Sequence, residues 1–86
     1  MNLSEEISKL GDGLQQQRDE LVIQLNLAKL EVREEWSKVE EQLAQWQGKA
    51  DAALKEAKVA SEDIVAGLDL LANEIKAAYQ RIRDRL

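Results

Sequence analysis

The side chains of this 86-residue chain that could do acid–base chemistry are carboxylates in adjacent pairs. These pairs are Glu5/Glu6, Glu34/Glu35, Glu40/Glu41 and Glu62/Asp63. General acid–base catalysis needs two such groups facing one desolvated cleft. Neighbours on an α-helix instead point about 100° apart, since a turn takes ~3.6 residues. The pairs therefore fit a solvated helical face better than a catalytic dyad.

The chain lacks the residue types that usually build reactive or metal-binding centres. It contains no histidine and no cysteine, which removes the commonest general base, the commonest metal ligand, thiolate metal sites and disulfides. We therefore expect a protein that is not an enzyme, with no cofactor, no metal site and no small-molecule substrate. A net charge of −5 also argues against nucleic acid, because phosphates select basic surfaces.

The composition is typical of long helices. Charged residues make up 34% of the chain, hydrophobic residues 44%, and proline is absent. A chain of this length forms one small domain, which commonly needs a partner to complete its core. No secretory leader or membrane span can be recognised in the sequence, so a cytoplasmic location is expected.

An apolar residue recurs every three or four positions from Leu14 to Leu86, at about 3.6 residues per step, and only Gln17 interrupts the series. A strict heptad repeat would average ~3.5 residues and impose a left-handed supercoil. The spacing therefore predicts an all-α fold of long, nearly straight amphipathic helices with no β-sheet. Residues 21–27 also alternate as a strand would, but leucine favours helix and charged helical sequence flanks them.

The apolar stripe is widest at residues 21–32 and 64–79, and a lone helix cannot bury so broad a surface. We therefore expect antiparallel, coiled-coil-like packing that lays one wide patch against the other. The predicted helix-packing interface consists of the large residues along the stripe: Leu21, Leu25, Val32, Trp36, Val39, Leu43, Trp46, Ile64, Leu68, Leu71, Ile75, Tyr79 and Ile82.

The two wide patches lie on either side of Gly48, a residue type that commonly ends helices. A helical hairpin turning near Gly48 would join the patches within one chain. An extended helix dimer, antiparallel about a two-fold axis near residue 49, would make the same contacts between chains. The sequence leaves both arrangements open. Ser61, followed by acidic residues, marks a second position where a helix can begin.

Residues 1–13 are expected to form a short, loosely attached segment before a single helical coiled-coil domain at 14–86. The run Gly11-Asp12-Gly13 places two glycines within three residues. In a helix interior this costs roughly 2 kcal/mol relative to alanine, which favours fraying or bending.

The C-terminal half carries three short runs, Glu62-Asp63-Ile64, Ala66-Gly67-Leu68 and Glu74-Ile75-Lys76, followed by Tyr79. In this register the chain resembles a group of small bacterial coiled-coil proteins of uncharacterised function, some of which are labelled stress-response proteins. The similarity is strongest over residues 55–86, although Ser61 and Ala72 stand where the family usually has tryptophan. The resemblance implies an all-helical, coiled-coil, non-enzymatic protein.

These features predict a structural or interaction protein that self-associates through helix packing, and the resemblance suggests a role in stress. Its expected partner is a second copy, in an antiparallel homo-oligomer, or another helical protein. The alternative is reversible binding to a membrane surface through residues 62–86, which combine a broad apolar face with basic residues near the end. The acidic residues of that segment offset its basic charge, so the membrane is the less favoured partner.

Overall fold

The computed structural model describes residues 3–55 and 62–86, with side chains from residue 5 onward. Within these ranges the chain forms three α-helices, α1 (Leu3–Gln24), α2 (Leu30–Lys55) and α3 (Glu62–Asp84), and a single turn of 3-10 helix at Leu25–Leu27. No strand occurs in the described part of the chain, including residues 21–27. The all-helical prediction is confirmed.

Helix α2 runs antiparallel to α3. Trp46, in the second half of α2, donates a hydrogen bond to Leu68 near the start of α3. Arg85, just after α3, pairs with Glu35 near the start of α2. The helices therefore pack side by side in opposite directions, but the predicted pairing of residues 21–32 with residues 64–79 is not formed, because Trp46 faces Leu68 and Glu35 faces Arg85.

Helix α1 completes the bundle by packing beside both of the other helices. Arg18 of α1 bonds to Glu40 of α2, and Glu20 near the end of α1 lies 3.6 Å from Arg83 near the end of α3. The contacts make α1 antiparallel to α2 and parallel to α3, in a bundle of 44 × 19 × 17 Å. Helix α3 packs extensively against both partners, so it occupies the centre of the arrangement.

The chain reverses direction at residues 25–29, far from the predicted position. Helix α1 ends at Gln24, one 3-10 turn follows, and Ala28 is extended with φ −80° and ψ 151°. The amide of Ala28 donates to the carbonyl of Leu25 at 3.0 Å, and the guanidinium of Arg33 donates to the carbonyl of Asn26 at 3.0 Å. These bonds hold the turn without any glycine or proline.

The predicted break at Gly48 is wrong, because Gly48 lies inside α2. Neither a hairpin turning there nor a continuous extended helix is formed. One interior glycine costs about 1 kcal/mol relative to alanine. The buried residues Trp46 and Ala50 on either side outweigh that cost and keep the helix continuous. The second predicted break, at Ser61, lies outside the described residues.

Residues 3–13 form the first half of α1, which differs from the expected loose segment. Ile7 is only 1% exposed, and it continues the buried series of Leu14 and Leu21 at seven-residue intervals. Burying a large aliphatic side chain is worth about 1.5–3 kcal/mol, enough to offset the local cost of Gly11 and Gly13.

The core is entirely apolar among the described residues and draws on all three helices. Four of the five residues with 0% exposure, Ala72, Ile75, Tyr79 and Ile82, belong to α3, in keeping with its central position. The buried side chains are Ile7, Leu14, Leu21, Leu25, Val32, Val39, Leu43, Trp46, Ala50, Ala53, Leu68, Ala72, Ile75, Ala78, Tyr79 and Ile82.

Candidate interaction surfaces

The thirteen residues of the predicted helix-packing interface all lie in or against the core of one chain. Ten are buried, whereas Trp36, Ile64 and Leu71 are half-buried and pack against the buried cluster. The ten buried members are Leu21, Leu25, Val32, Val39, Leu43, Trp46, Leu68, Ile75, Tyr79 and Ile82. In the bundle these side chains are covered, wholly or in part, by other helices of the same chain.

Trp46 joins the three helices at one point. Its indole Nε1–H donates to the backbone carbonyl of Leu68 in α3 at 2.9 Å, in a buried position. On the other side its ring faces Gly11 of α1, where an added Cβ would stand 3.2 Å from two ring carbons. The bond satisfies the only polar atom of the indole, and the glycine leaves room for its ring.

Tyr79 lies at the contact between α3 and α2. Its ring centroid is 5.6 Å from that of Trp36, with the two ring planes tilted by 30°. The hydroxyl is buried and has no hydrogen-bond partner among the described residues. Burial, and to a smaller extent the nearby Glu40 carboxylate, raises the pKa of Tyr79 to about 12. The phenol is therefore neutral at physiological pH and contributes mainly by packing.

An ion pair lies beside this aromatic contact. The Nε of Arg18 donates to one carboxylate oxygen of Glu40 at 2.6 Å, and the Nη2 of Arg18 donates to the other at 3.3 Å. This bidentate contact raises the pKa of Arg18. Both side chains are about one-third exposed, so the pair fixes the register of α1 on α2 more than it adds stability.

Three aliphatic side chains project into solvent at the turn between α1 and α2. Ile23 is 76% exposed, Leu27 95% and Leu30 72%. We call these three residues the apolar tip. Turns are ordinarily polar, and single exposed leucines are common, but three within eight residues at one turn form a group. The sequence reasoning missed this surface, since it counted these residues as part of a wide buried stripe.

Charged residues of both signs surround the apolar tip. Arg85 pairs with Glu31 at 3.5 Å and with Glu35 at 2.7 Å, which balances much of the charge there. Lys29 precedes Leu30 in the sequence and the exposed Glu31 follows it, while Arg33 and Glu34 come one turn into α2. The border of the tip therefore carries charges of both signs.

A groove of about 530 Å³ lies between α2 and α3. We call it the α2/α3 groove. Its walls are formed largely by small or aliphatic residues, while one lysine and two carboxylates provide its charged groups. The lining residues are Lys49, Ala52, Ala53, Asp63, Ile64, Gly67, Leu68, Leu70, Leu71 and Glu74.

Neither of two other kinds of site is found in the described ranges. The carboxylate side chains of the described residues form no group of three or more that would hold a metal ion. Among the helices of the described chain, none combines the length and hydrophobicity that a membrane crossing requires.

The comparisons with known proteins identify no relative. No protein-family model matches the chain, and searches of curated proteins and of solved structures find no match.

Proposed function

We propose that this chain is a non-catalytic interaction protein that self-associates through the apolar tip. The observation that carries the proposal is the outward position of Ile23, Leu27 and Leu30 at a turn held by hydrogen bonds. We take this grouping of exposed apolar side chains at one turn as the mark of a place where another molecule binds.

The bundle leaves the three aliphatic side chains of the apolar tip exposed to water. Transfer of a large aliphatic side chain from water to a protein interior is worth about 1.5–3 kcal/mol. Association has to offset lost translational and rotational freedom, so three such side chains support binding in the micromolar range or weaker. A reversible self-association is consistent with an affinity in that range.

A protein partner suits the tip better than a lipid surface. The apolar face of α3, including Leu68, Ile75 and Ile82, is used inside the bundle. The end of the bundle at the tip carries acidic as well as basic groups, so it has no strong net attraction to anionic lipid. A cytoplasmic location and a stress-related role, both suggested by the sequence, remain part of the proposal.

Sedimentation equilibrium of the wild-type chain and of a Leu27→Gln/Leu30→Gln variant tests the proposal. We expect the wild type to exceed its monomer mass of 9.7 kDa as concentration rises into the hundreds of micromolar, and the variant to stay monomeric. Both leucines are exposed, so the variant should keep its helical circular dichroism. Leu54→Gln, at another exposed leucine of α2, is the matched control and should associate as the wild type does. A wild-type chain that stays monomeric throughout contradicts the proposal.

A further inference from the structure

We propose that the turn at residues 25–29 is a hinge, and that two copies of the chain exchange α1 when this hinge straightens. In the exchanged dimer, α1 and α2 of each chain form one continuous helix, and α1 packs on α2 and α3 of the other copy. The partner is a second copy of this chain, and the surface that it binds is the one that α1 covers in the monomer. This contact is separate from the association through the apolar tip and does not depend on it.

The residues of the turn suit a helix as well as a reversal. Leucine, alanine and lysine, which are strong helix formers, occupy four of the five positions, and only Asn26 prefers turns. The turn has no glycine or proline to exclude helix. Two bonds hold it, one from the amide of Ala28 to the carbonyl of Leu25 and one from Arg33 to the carbonyl of Asn26. A continuous helix would replace them with its own backbone bonds.

The buried stripe keeps one helical phase through the turn. At ~100° per residue, the core residues on both sides would fall within roughly 60° of each other on one face of a straight helix. These residues are Leu14, Leu21, Leu25, Ala28, Val32 and Val39. A chain reversal does not require this phase to be kept, whereas a continuous helix does. Ile23, Leu27 and Leu30 would lie on the opposite side, so straightening leaves the apolar tip exposed.

The helix α1 of a second copy fits the vacated surface because it is the same helix. The approach of Gly11 to the Trp46 ring and the bond of Arg18 to Glu40 can form between chains as well as within one. Exchange therefore keeps the contacts of α1 and adds helix at the hinge, at the cost of the free motion of one molecule. A high protein concentration favours it.

Exchange changes both the rate of interconversion and the length of the particle. The whole of α1 must leave the core, so we expect monomer and exchanged dimer to interconvert only through unfolding and refolding. A continuous helix over residues 3–55 would be roughly 80 Å long, at ~1.5 Å per residue. The bundle of one chain has a longest dimension of 44 Å.

Refolding from urea at high protein concentration, followed by dilution, tests the exchange. Part of the wild-type chain should elute as a dimer, with twice the 9.7 kDa mass of one copy, at a dilution where association through the tip has dissociated. Lys29→Pro should abolish this dimer. Proline at this position suits the turn, because Ala28 before it is already extended with ψ 151°, but it breaks a continuous helix.

Two further variants separate the hinge from other effects of Lys29→Pro. Lys29→Ala removes the same side chain but permits the helix, so this matched control should give at least as much dimer as the wild type. Ala28→Gly keeps the amide that bonds to Leu25 and disfavours helix, so it should lower the dimer fraction several-fold. Circular dichroism verifies that the monomer of each variant keeps its helices.

Crosslinking shows which copy of α1 lies on which α3. The chain has no cysteine, and Glu20→Cys/Arg83→Cys introduces two at an exposed pair whose charged atoms lie 3.6 Å apart. On a denaturing gel, a short bis-maleimide should join two chains in the exchanged dimer and only close one chain on itself in the monomer.

Three results would overturn the exchange: no persistent dimer of the wild type, a dimer of Lys29→Pro at the wild-type yield, or crosslinks within single chains only. The variant Leu27→Gln/Leu30→Gln should still exchange, because glutamine is a good helix former. Loss of association through the tip therefore leaves the exchange intact, and failure of the exchange leaves the tip as proposed.

Discussion

At the scale of single residues, the four glycines differ in what they do for the bundle. Gly11 lies against the Trp46 ring, which is held from the other side by its bond to Leu68. Gly13, Gly48 and Gly67 have open space where a Cβ would be. Glycine content alone suggested a helix end, but only one of the four is explained by a close approach.

Alanine substitution should therefore change the free energy of unfolding in opposite directions at Gly11 and Gly13 of α1. Gly13→Ala should raise the free energy of unfolding by about 0.5–1 kcal/mol through helix propensity alone. Gly11→Ala should lower it by about 1 kcal/mol, because the new methyl group crowds a pinned indole. Urea denaturation followed by circular dichroism measures both. Equal stabilisation by the two changes would show that the Trp46 ring is not fixed as described.

The buried hydroxyl of Tyr79 predicts a pH-dependent stability. The phenol has an ordinary pKa of 10.0 and a pKa of about 12 in the folded chain, so folding favours its protonated form. The stability it contributes is complete below pH 10 and is lost as the pH rises towards 12, by up to about 3 kcal/mol. Tyr79→Phe should remove this part of the alkaline loss while keeping the contact with Trp36.

Denaturation curves of the wild type and Tyr79→Phe at pH 7, 10 and 11.5 provide the measurement. The comparison cancels the titration of lysine and arginine side chains common to both proteins. At pH 7 the variant should be at least as stable as the wild type, since it removes a buried hydroxyl that lacks a partner. Parallel stability profiles above pH 10 would contradict the assigned burial.

At the scale of helices, the sequence predicted which residues are buried better than it predicted where the chain reverses direction. Every predicted interface residue is buried or half-buried, because a helical period over many turns leaves few alternatives. The turn at residues 25–29 consists of Leu25, Asn26, Leu27, Ala28 and Lys29, which carry neither glycine nor proline. Packing of both α1 and α2 against α3 accompanies this reversal, and residue preferences gave no signal for it.

The wide patch at residues 21–32 explains why the buried residues were predicted correctly and why the position of the turn was not. Leu21, Leu25 and Val32 are buried, whereas Ile23 and Leu27 point outward. Adding the two groups together made one broad stripe, which favoured a long antiparallel pairing of helices. In the structure it is a narrow buried stripe next to an exposed tip, and the tip is the part that sequence reasoning did not recognise.

Because α3 lies at the centre of the bundle, we expect the folded chain not to bind lipid vesicles through residues 62–86. The buried apolar residues of α3, including Leu68, Ile75 and Ile82, are covered by α1 and α2 and cannot contact a membrane while the bundle is folded. We expect no co-sedimentation with vesicles of zwitterionic or anionic phospholipid at physiological ionic strength. Vesicle binding that survives Leu27→Gln/Leu30→Gln would contradict this, because it would have to use a face of α3 that the bundle buries.

At the scale of the whole molecule, the chain closes its core without a partner. Three helices give a bundle that buries side chains from each of them, where an extended helix dimer would need a second chain. The proposed self-association would then depend on surface outside the core. In that case substitutions at the apolar tip should change assembly without disturbing folding.

Small-angle scattering with absolute mass, recorded over a dilution series, tests the central claim most directly. Dilute chains should have the 9.7 kDa mass of one copy and a radius of gyration near the 14.0 Å of the bundle. The average mass should rise steadily with concentration as copies join. A particle of one-copy mass at every concentration, or a dilute species long enough for a continuous helix of about 110 Å, would contradict it.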